Sequence, residues 1–484
     1  MELFGGLNGE ALDRARVSRD PRFDGKFFVA VTSTGIYCRP ICPSRLARRT
    51  NVRYFASTAA AESAGFRPCL RCRPEAAPGT PGWLGTAAVI RRALRLIEAG
   101  ALDDASVESL AARLGIGSRH LSRLFLRHVG ASPLAVAQTR RLHFALCLLE
   151  ETRLPITQIA LAAGFGSSRR FNAAFRQSYR RAPSELRRAG GAVQRATQEV
   201  VLRLAYRPPY DWEQLRDFLA VRALPGIERV DARGYARTVA CAGSHALICV
   251  APTREAHALE LRVAGAPPGA LMQLAGAARR MFDLSADPQR IGRELAADGL
   301  VAPLLRSRPG TRIAGAWDPF ECAVRAVLGQ QVSVSAGRAF ALRMVERLGV
   351  RIRDGAEGLT HLFPDAAAIA AAPLDSFGVT RSRAATLRAL ARAVLERRVD
   401  FDAAPEEVVA ALLALPGIGP WTAQYVALRA LGEPDALPAG DLVLRRMAAR
   451  AAPLLSAREL EERAHPWRPW RGYAVMHLWR VAAA

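Results

Sequence analysis

Two stretches of the chain repeat one pattern of apolar and polar residues at helical spacing. Residues 87–99 place apolar side chains along one helix face. Ser106 is a suitable N-cap for the helix that follows, and after a glycine the helical pattern restarts over residues 118–128. About 50 residues later, residues 156–163 and 167–176 repeat this order of helix, glycine turn and helix. The pattern predicts an all-α region with two helix-turn-helix units in tandem.

The second helix of each unit begins with polar side chains, at the end where recognition helices meet base edges. The candidate DNA contacts are Ser118, Arg119 and Arg123 in the first unit and Ser168, Arg169 and Asn172 in the second. The apolar members of the same helices are expected in the core: Leu121, Leu124, Phe125, Phe171 and Phe175. A single helix-turn-helix unit is only a weak indication of DNA binding, because many helical domains contain one. The prediction of a DNA-binding region therefore depends on the tandem repeat.

The remaining pattern indicates a multidomain α+β chain. A Pro/Gly-rich stretch at 74–85 is one predicted linker, and Gly190-Gly191 with a polar stretch forms the next. Between residues 202 and 263 the chain alternates β-rich runs (236–241, 246–250 and 259–263) with one helix near 211–222. From about Thr311 it is mostly helical.

Composition narrows the class of partner. The 484 residues carry 68 basic and 44 acidic side chains, a net charge of +24, and half of them are hydrophobic. Folded cores and a polyanionic partner, usually nucleic acid, are therefore expected. The excess of positive charge per residue is largest in residues 81–195, which hold 18 basic and 7 acidic side chains. No apolar run approaches the roughly 18–20 residues of a membrane span, and no secretory pattern opens the chain. We expect a cytoplasmic, nucleoid-associated protein without a membrane partner.

Four of the eight cysteines form a cluster with the spacing of metal ligands. Cys38 and Cys42 make a C-x3-C pair, and Cys69 and Cys72 make a C-x2-C pair after a gap of 26 residues. Without a secretory pattern a metal is favoured over disulfides, and four thiolates suit tetrahedral zinc. The alternative is a closed zinc knuckle that only holds a small domain together.

The residues around these cysteines, over about 10–75, resemble the zinc domain of the Ada adaptive-response proteins. The resemblance implies that Cys38 attacks the methyl group of a DNA methylphosphotriester, once per chain, and that the lost thiolate charge weakens repulsion from DNA. It also implies DNA-facing roles for four residues: Thr34, Arg45, Arg67 and Arg71. The alternative for these arginines is that they are merely solvated.

Residues 85–190 resemble the AraC-type transcription-factor domain, through the tandem units and the closing residues 175–183. The Ada family carries this domain directly after its zinc domain, in the same order. The resemblance implies sequence-specific binding to promoters, with RNA polymerase as a further candidate partner.

A third motif lies in the C-terminal half. Residues 415–425 place Gly417 and Gly419 between two helical stretches, and glycine permits a tight hairpin whose N–H groups can face a phosphate. This is a helix-hairpin-helix, which alone implies only non-specific DNA binding. Asp441 follows 22 residues after Gly419, beyond a Gly/Pro-rich loop.

Together with residues 208–212, 325–333 and 467–479, this motif resembles the helix-hairpin-helix DNA glycosylases of the AlkA 3-methyladenine type, over about 200–484. The resemblance implies that Asp441 stabilises an oxocarbenium-like sugar or positions water. The alternative for Asp441 is a helix N-cap, and both roles are compatible.

The same resemblance implies an aromatic pocket for the extruded base, lined by Phe218, Trp421, Tyr425 and Trp479. Stacking of a cationic alkylated purine on indole contributes about 0.5–2 kcal/mol. The alternative is that these aromatics are ordinary core. Two residues depart from the family: Gln331 stands where an apolar wedge enters the DNA, and Leu442 replaces a pocket tyrosine. The hairpin is also a candidate site for a monovalent cation.

The lysine content separates two types of glycosylase. Lys26 is the only lysine beside 67 arginines, and the abundance of Ala, Gly and Arg throughout favours a compositional bias of the genome as the explanation. Lyases form a Schiff base through a lysine amine, so we expect a monofunctional enzyme that leaves an abasic site. No Pro-Cys-His-Arg motif of the O6-methylguanine transferase domain is present.

The expectation is a DNA alkylation repair and response protein that binds double-stranded DNA and one Zn2+. The four predicted domains are a zinc-bound α+β domain at 1–80, an all-α tandem helix-turn-helix domain at 84–190, a β-sheet-plus-helix subdomain at 198–305, and an all-α helix-hairpin-helix glycosylase domain at 306–484. The alternative is a purely regulatory DNA-binding sensor whose glycosylase-like half is inactive.

Overall fold

A computed structural model describes residues 4, 7–74, 77, 88–103, 105–187, 199–241, 243–253, 257–352, 358–449 and 453–482. The chain forms two compact units. The first spans residues 1–208, 253–276 and 284–286, and the second spans 209–252, 277–283 and 287–484. Most of the predicted linker at 74–85 and all of that at 190–191 lie outside the described residues. Of the helices described, none is long and apolar enough to cross a membrane.

The first unit begins with a small α+β region around a four-stranded sheet. Its elements are α1 (Gly9–Val17), β1 (Phe28–Val31), β2 (Ile36–Cys38), β3 (Val52–Phe55), α2 (Thr58–Ser63) and β4 (Arg67–Pro68). The strand order is β3-β1-β2-β4, with β1 antiparallel to β2 and β3. The β2–β4 pair is parallel and aligns Tyr37 with Pro68. This pairing places the two cysteine pairs beside each other.

Seven helices follow in the first unit. They are α3 (Ala88–Glu98), α4 (Val107–Arg113), α5 (Ser118–His128), α6 (Pro133–Glu151), α7 (Ile156–Ala162), α8 (Ser168–Tyr179) and α9 (Pro183–Leu186). Ser106 is the predicted N-cap of α4, since its side chain accepts the N–H of Ser109. The helices α4–α5 and α7–α8 are the two predicted helix-turn-helix units. The pattern did not predict α6, which is 19 residues long and buries Leu142, Leu146 and Leu149.

Residues 199–307 form strands and helices that belong to both units. They are β5 (Glu199–Ala205), α10 (Trp212–Ala220), β6 (Glu228–Asp231), β7 (Gly234–Cys241), β8 (Ser244–Pro252), β9 (Ala258–Ala264), α11 (Leu271–Met281), α12 (Pro288–Leu295) and α13 (Val301–Ser307). In the first unit β5 pairs antiparallel with β9, and in the second β7 pairs antiparallel with β6 and β8. The three predicted β runs lie within β7, β8 and β9. The predicted helix near 211–222 is α10.

The rest of the second unit is mostly helical. Its elements are α14 (Pro319–Leu328), α15 (Val334–Leu348), β10 (Val350–Arg351), β11 (His361–Leu362), α16 (Ala366–Ala371), α17 (Arg381–Leu395), α18 (Pro405–Leu413), α19 (Pro420–Arg429), α20 (Leu442–Ala449), α21 (Ala457–Arg463) and α22 (Arg471–Val481). The predicted helix-hairpin-helix consists of α18, α19 and the residues between them. A core of aliphatic side chains packs α14, α15, α17 and α19 together.

A buried ion network holds the segment after α10 against α14. Arg237 donates to Glu321 (Nη2 to Oε2, 2.7 Å), and Arg325 Nη1 lies 2.9 Å from carboxylate oxygens of both Glu228 and Glu321. The Tyr235 hydroxyl donates to Glu228 at 2.7 Å. Arg325 also donates to the backbone carbonyl of Arg222. Because breaking a buried pair leaves a charge without a partner, this network fixes the backbone that carries Arg222.

Candidate functional site

The four clustered cysteines converge at the end of the β2–β4 pair. Cys38 ends β2, and Cys69 follows β4 with its N–H donating to the Tyr37 carbonyl at 2.9 Å. The four Sγ atoms all lie within 4.8 Å of one another. Three of the side chains are buried, whereas Cys38 is only partly buried. Cys38 is therefore the member of the cluster most accessible to another molecule.

The donor set fits a zinc ion. Tetrahedral Zn–S bonds of about 2.3 Å place sulfurs somewhat under 4 Å apart, in keeping with the observed cluster. As free thiols these residues compete for protons: a hydrogen bond with Cys42 raises the pKa of Cys38, while the same bond lowers the pKa of Cys42. Four adjacent thiolates need a cation to offset their repulsion. The backbone N–H of Arg39 also donates to Cys72 Sγ at 3.3 Å.

The residues expected to face DNA lie near this cluster in the chain and on the two repeated helix pairs. The exposed members are Thr34, Arg45, Arg71, Arg119, Arg123 and Arg169. The partly buried members are Arg67, Ser118, Ser168 and Asn172. Arg119 and Arg169 occupy equivalent places, the second residue of α5 and of α8. Their contact with DNA remains a prediction.

The sequence analysis missed a polar cluster that joins the cysteine region to α6. The Glu62 carboxylate accepts the hydroxyls of Tyr37 at 2.7 Å and of Thr139 at 2.8 Å, and lies 3.1 Å from His143 Nε2. Tyr37 precedes the ligand Cys38. A glutamate on an alanine-rich helix gives no signal of this role, because its partners are distant in the chain.

A second link reaches α6 from the other end of the cluster. Arg73, next to Cys72, pairs with Glu150 (Nε to Oε2, 2.5 Å) and Glu151 (Nη2 to Oε1, 3.3 Å). The backbone of Arg73 is left-handed, with φ of 54°. Residues adjacent to two different ligands thus contact one helix, which lies between the two helix-turn-helix units in the chain.

In the second unit the four predicted pocket aromatics lie together. The rings of Trp421 and Tyr425 stack at 5.3 Å, and Tyr425 lies 6.0 Å from Trp479. Trp479 stacks in turn on Phe218 at 6.2 Å with an interplanar angle of 25°. All four are partly buried. A continuous aromatic surface from α10, α19 and α22 is suited to stacking with a planar base.

Asp441 lies against this surface. Its Oδ2 accepts the Trp421 indole N–H at 2.9 Å, and its Oδ1 accepts the Trp479 indole N–H at 3.3 Å. Oδ1 also accepts the backbone N–H of Leu444 at 3.0 Å, as an N-cap of α20 does. The two oxygens of a carboxylate offer about four acceptor positions, which is enough for these three donors. Leu442, the first residue of α20, is 52% exposed.

Two arginines that the sequence analysis did not single out contact the same aromatics. Arg222 Cζ lies 3.7 Å from the centre of the Phe218 ring, and Arg429 Cζ lies 4.8 Å from it. Arg429 Nη1 donates to the Tyr425 hydroxyl at 2.7 Å. Arginines are so frequent in this chain that their position in sequence carried no signal.

The hairpin between α18 and α19 is packed against Thr386 of α17 and is hydrogen-bonded to Gln330. Gly417 has φ of +83°, and a Cβ there would lie 2.0 Å from Thr386 Oγ1, whereas a Cβ at Gly419 would meet nothing within 4 Å. The Gln330 amide donates to the Gly417 carbonyl and to Thr422 Oγ1, both at 2.9 Å. The next residue, Gln331, is exposed and left-handed, with φ of 55°. The hairpin and the Gln331 loop are thus directly linked.

Four family models match the chain. They are the metal binding domain of Ada at residues 11–75, a helix-turn-helix domain at 110–189, the AlkA N-terminal domain at 201–318, and the HhH-GPD superfamily of base excision DNA repair proteins at 324–471. The fold and its sites therefore define a class of protein: a thiolate zinc domain and helix-turn-helix units joined to a helix-hairpin-helix glycosylase fold.

One relative covers almost the whole chain. The probable bifunctional transcriptional activator/DNA repair enzyme AlkA of Mycobacterium tuberculosis H37Rv is 41% identical over 472 residues, which is 96% of this chain and 95% of that protein. The chain belongs to this family of bifunctional transcriptional activator/DNA repair enzymes. The family resemblances predicted from sequence, and the multidomain α+β fold class, are confirmed.

Two further matches concern separate parts of the chain. DNA-3-methyladenine glycosylase 2 of Escherichia coli K12 is 35% identical over 283 residues, which is 57% of this chain and 95% of that enzyme. The solved 3-methyladenine DNA-glycosylase of Archaeoglobus fulgidus covers 57% of this chain and 96% of its own, with a TM-score of 0.51 at 23% identity. The second likeness concerns the fold alone.

Proposed function

We propose that the chain removes alkylated bases from DNA through its second unit and senses methylated phosphates through its first. The observation that carries the repair function is the Asp441 carboxylate, held by the indoles of Trp421 and Trp479 on an aromatic surface. The stacked aromatics supply a site for an extruded base. The proposed substrates are alkylated bases of the 3-methyladenine type, because the relatives with this half are named for that base.

In the proposed reaction water replaces the base at the sugar C1′ atom, so the N-glycosidic bond breaks and a C–O bond forms. Asp441 faces the sugar and either stabilises its developing positive charge or accepts the proton of the attacking water. The indole donors keep the carboxylate in one orientation. No lysine occurs after Lys26, so an abasic site is the expected product. A borohydride-trapped adduct between this half and DNA would contradict that expectation.

The first test compares the wild type with Asp441→Asn on methylated duplex DNA, counting released bases in single turnover. Asn is as good an N-cap as Asp, so α20 is expected to persist. We expect base release to fall at least about 100-fold, while affinity for the DNA changes little. Asp375→Asn, at an exposed carboxylate, is the control. Equal release by the wild type and Asp441→Asn would exclude Asp441 as the catalytic carboxylate, and no release by either would favour the purely regulatory alternative.

Asp441 also positions two indoles, and the affinity measurement separates that role from chemistry. An asparagine amide turns an N–H2 group towards one of the indole N–H donors, so the surface is expected to loosen slightly. If affinity for alkylated DNA falls in the same proportion as release, Asp441 acts by shaping the pocket. If release alone falls, the carboxylate acts on the sugar or the water.

For the first unit we propose that Cys38 accepts a methyl group from a DNA phosphotriester. Its sulfur attacks the methyl carbon, an S–C bond forms, the C–O bond breaks, and the phosphodiester anion leaves. Bound zinc would hold the sulfur as a thiolate at neutral pH. Partial exposure of Cys38, beside three buried partners, supports its assignment as the acceptor. The product is a neutral thioether, so the cluster loses one negative charge.

That charge loss is proposed to strengthen binding of the helix-turn-helix units to promoter DNA. The contacts of Tyr37 and Arg73 with α6 provide a route by which the cluster reaches those units. RNA polymerase as a partner, a monovalent cation at the hairpin, and association with the nucleoid belong to the same proposal.

Mass spectrometry after incubation with methylphosphotriester DNA tests the sensor. The wild type is expected to gain one methyl group per chain, and Cys38→Ala none. Cys241→Ala, at a partly buried cysteine outside the cluster, is the control and is expected to gain one. A methyl gain by Cys38→Ala would exclude Cys38 as the acceptor, and no gain by the wild type would favour an inert zinc knuckle.

A further inference from the structure

Arg39, the residue after Cys38, joins the cysteine cluster to Asp24. Its backbone N–H donates to Cys72 Sγ at 3.3 Å, and its Nη1 donates to the Cys72 carbonyl at 3.2 Å. Its Nε donates to the two carboxylate oxygens of Asp24 at 2.9 and 3.1 Å, and its Nη2 donates to one of them. Only 14% of the Arg39 side chain and 5% of the Asp24 side chain are exposed. Arg39 therefore holds Asp24 against both cysteine pairs.

Arg207 contacts the other side of Asp24. It is fully buried and lies two residues after β5, within the part of the chain that matches the AlkA N-terminal domain. Its Nε donates to the Asp24 backbone carbonyl at 2.9 Å, and its Nη1 donates to the Ser285 carbonyl at 2.8 Å. Asp24, Arg207 and Ser285 all belong to the first unit. One arginine thus joins the zinc domain to the AlkA-type region.

A second set of contacts joins β5 to the cysteine cluster through α6. Arg73, next to Cys72, pairs with Glu151, the last residue of α6 (Nη2 to Oε1, 3.3 Å). The Oε2 atom of Glu151 accepts the backbone N–H of Arg203, which lies on β5, at 3.2 Å. Two separate sets of contacts therefore run from the surroundings of Cys72 to the same short segment of chain. Since these groups are mostly buried, water competes little for their hydrogen bonds.

We propose that Arg207 is a positioning residue of the zinc cluster, so that metal binding by the four cysteines and ordering of β5 favour each other. Without the metal the two cysteine pairs are no longer held together, and Arg39 loses its fixed acceptors on Cys72. Asp24 is then free to move, and Arg207 loses the carbonyl that it binds. Linkage is reciprocal, so a change that loosens β5 also weakens metal binding. The state of the sensor domain thus reaches the AlkA-type region, which neither proposed activity requires.

Two measurements on the full chain test this linkage, and neither uses methyl transfer or base release. Equilibrium competition with a chromophoric chelator gives the affinity for zinc. Hydrogen exchange of peptides that cover residues 199–207, in the zinc-loaded and the chelated protein, reports the order of β5. The variants are Arg207→Met, Arg207→Lys and Asp24→Asn, with Arg14→Met as the control. Arg14 lies on α1, and 75% of its side chain is exposed beside an exposed Glu10.

In the wild type, chelation is expected to speed hydrogen exchange in β5. Arg207→Met is expected to weaken zinc binding roughly 10-fold, the effect of one lost buried hydrogen bond. It is also expected to remove most of the difference in β5 exchange between the loaded and the chelated protein. Arg207→Lys is expected to lie between, because it keeps the charge but loses the planar fork.

Asp24→Asn is expected to weaken zinc binding roughly 10- to 100-fold, as the loss of a group behind a metal ligand does. Because Asp24 lies between Arg207 and the cluster, the two residues act in series. Adding Arg207→Met to Asp24→Asn is therefore expected to cause little further loss of zinc affinity. Arg14→Met is expected to match the wild type in both measurements.

Five results would overturn the proposal. Unchanged β5 exchange on chelation of the wild type would exclude the linkage. Faster β5 exchange in Arg207→Met, equal with and without zinc and at wild-type zinc affinity, would assign Arg207 to the fold alone. An equal loss of zinc affinity in Arg14→Met would attribute the effect to net charge. Additive losses in the double variant would exclude the route through Asp24. Absence of zinc binding by the wild type would overturn both the linkage and the zinc site.

Urea unfolding shows whether each variant folds. If Arg207→Met does not fold, the same criteria apply to Arg207→Lys and Asp24→Asn. Wild-type zinc affinity in both of these variants would then contradict the proposal.

Discussion

Alanine at Gly417 is expected to destabilise the hairpin for two separable reasons. The residue has φ of +83°, where an L side chain costs about 1–2 kcal/mol. Its new Cβ would also lie 2.0 Å from Thr386 Oγ1, and Thr386 is buried and bonded to the Ser382 carbonyl. Overpacking of this kind costs about 1–3 kcal/mol. The total expected loss in free energy of unfolding is about 2–5 kcal/mol.

Urea unfolding of the full chain, followed by tryptophan fluorescence, measures this loss, because six of the seven tryptophans lie between residues 212 and 479. Gly419→Ala is the matched control. Gly419 has ordinary φ of −98° and open space around it, so the loss there is at most about 1 kcal/mol, as for a weaker N-cap. Its added methyl is expected to weaken DNA binding, since it occupies the open face of the hairpin.

A double-mutant cycle separates strain from collision. Adding Thr386→Ala to Gly417→Ala removes the atom that the new Cβ meets, so it is expected to recover about 1–3 kcal/mol relative to the sum of the single changes. The left-handed strain of about 1–2 kcal/mol remains. The reasoning is refuted if Gly417→Ala is no more destabilising than Gly419→Ala, or if the cycle shows no coupling.

Three further predictions concern other parts of the molecule. Arg237→Met leaves Glu321 without one of its buried partners and is expected to cost about 3–5 kcal/mol in urea unfolding; a loss below about 1 kcal/mol would contradict the role given to the network. Burial raises the pKa of Asp298, but hydrogen bonds from Arg463, Trp467 and the backbone outweigh it, so the net pKa is lowered. The stabilising contribution of Asp298 is present at neutral pH and is lost as the pH falls below about 4. Arg463→Met is therefore expected to make the free energy of unfolding less dependent on pH in that acidic range. A pH dependence equal to that of the wild type would contradict the role given to Asp298. Chelation of zinc is expected to make the cysteine region sensitive to protease while base release continues, and protection of that region after metal removal would argue against a structural zinc.

Local chemistry explains what the sequence predicted well. Cysteine spacing identified the metal cluster, and Ser106 with the glycine turns located the repeated helices, because caps and turns depend on neighbouring residues. Gly417 and Gly419 together predicted the hairpin, but the structure requires glycine at the two positions for different reasons. Gly417 packs against Thr386, whereas Gly419 leaves an open face. The sequence could not show this difference, because Thr386 lies on α17, which is distant in the chain.

Contacts between segments that are distant in the chain could not be predicted from the sequence. Glu62 gains its importance from Tyr37, Thr139 and His143, which no local pattern connects. The length of α6 was also missed, although Ser132 and Pro133 provide a helix start and its N-cap bond is present. Arg222 was one arginine among 67, and only its position over Phe218 distinguishes it.

Asp441 couples the geometry of the aromatic surface to the stability of α20. The carboxylate that caps α20 also holds two indoles of the aromatic surface. Local fraying of α20 would release the carboxylate and loosen both rings at the same time. Under the proposed function, a partly unfolded molecule therefore loses base release altogether and does not become a less selective enzyme. This coupling would protect undamaged bases from removal by partly unfolded molecules.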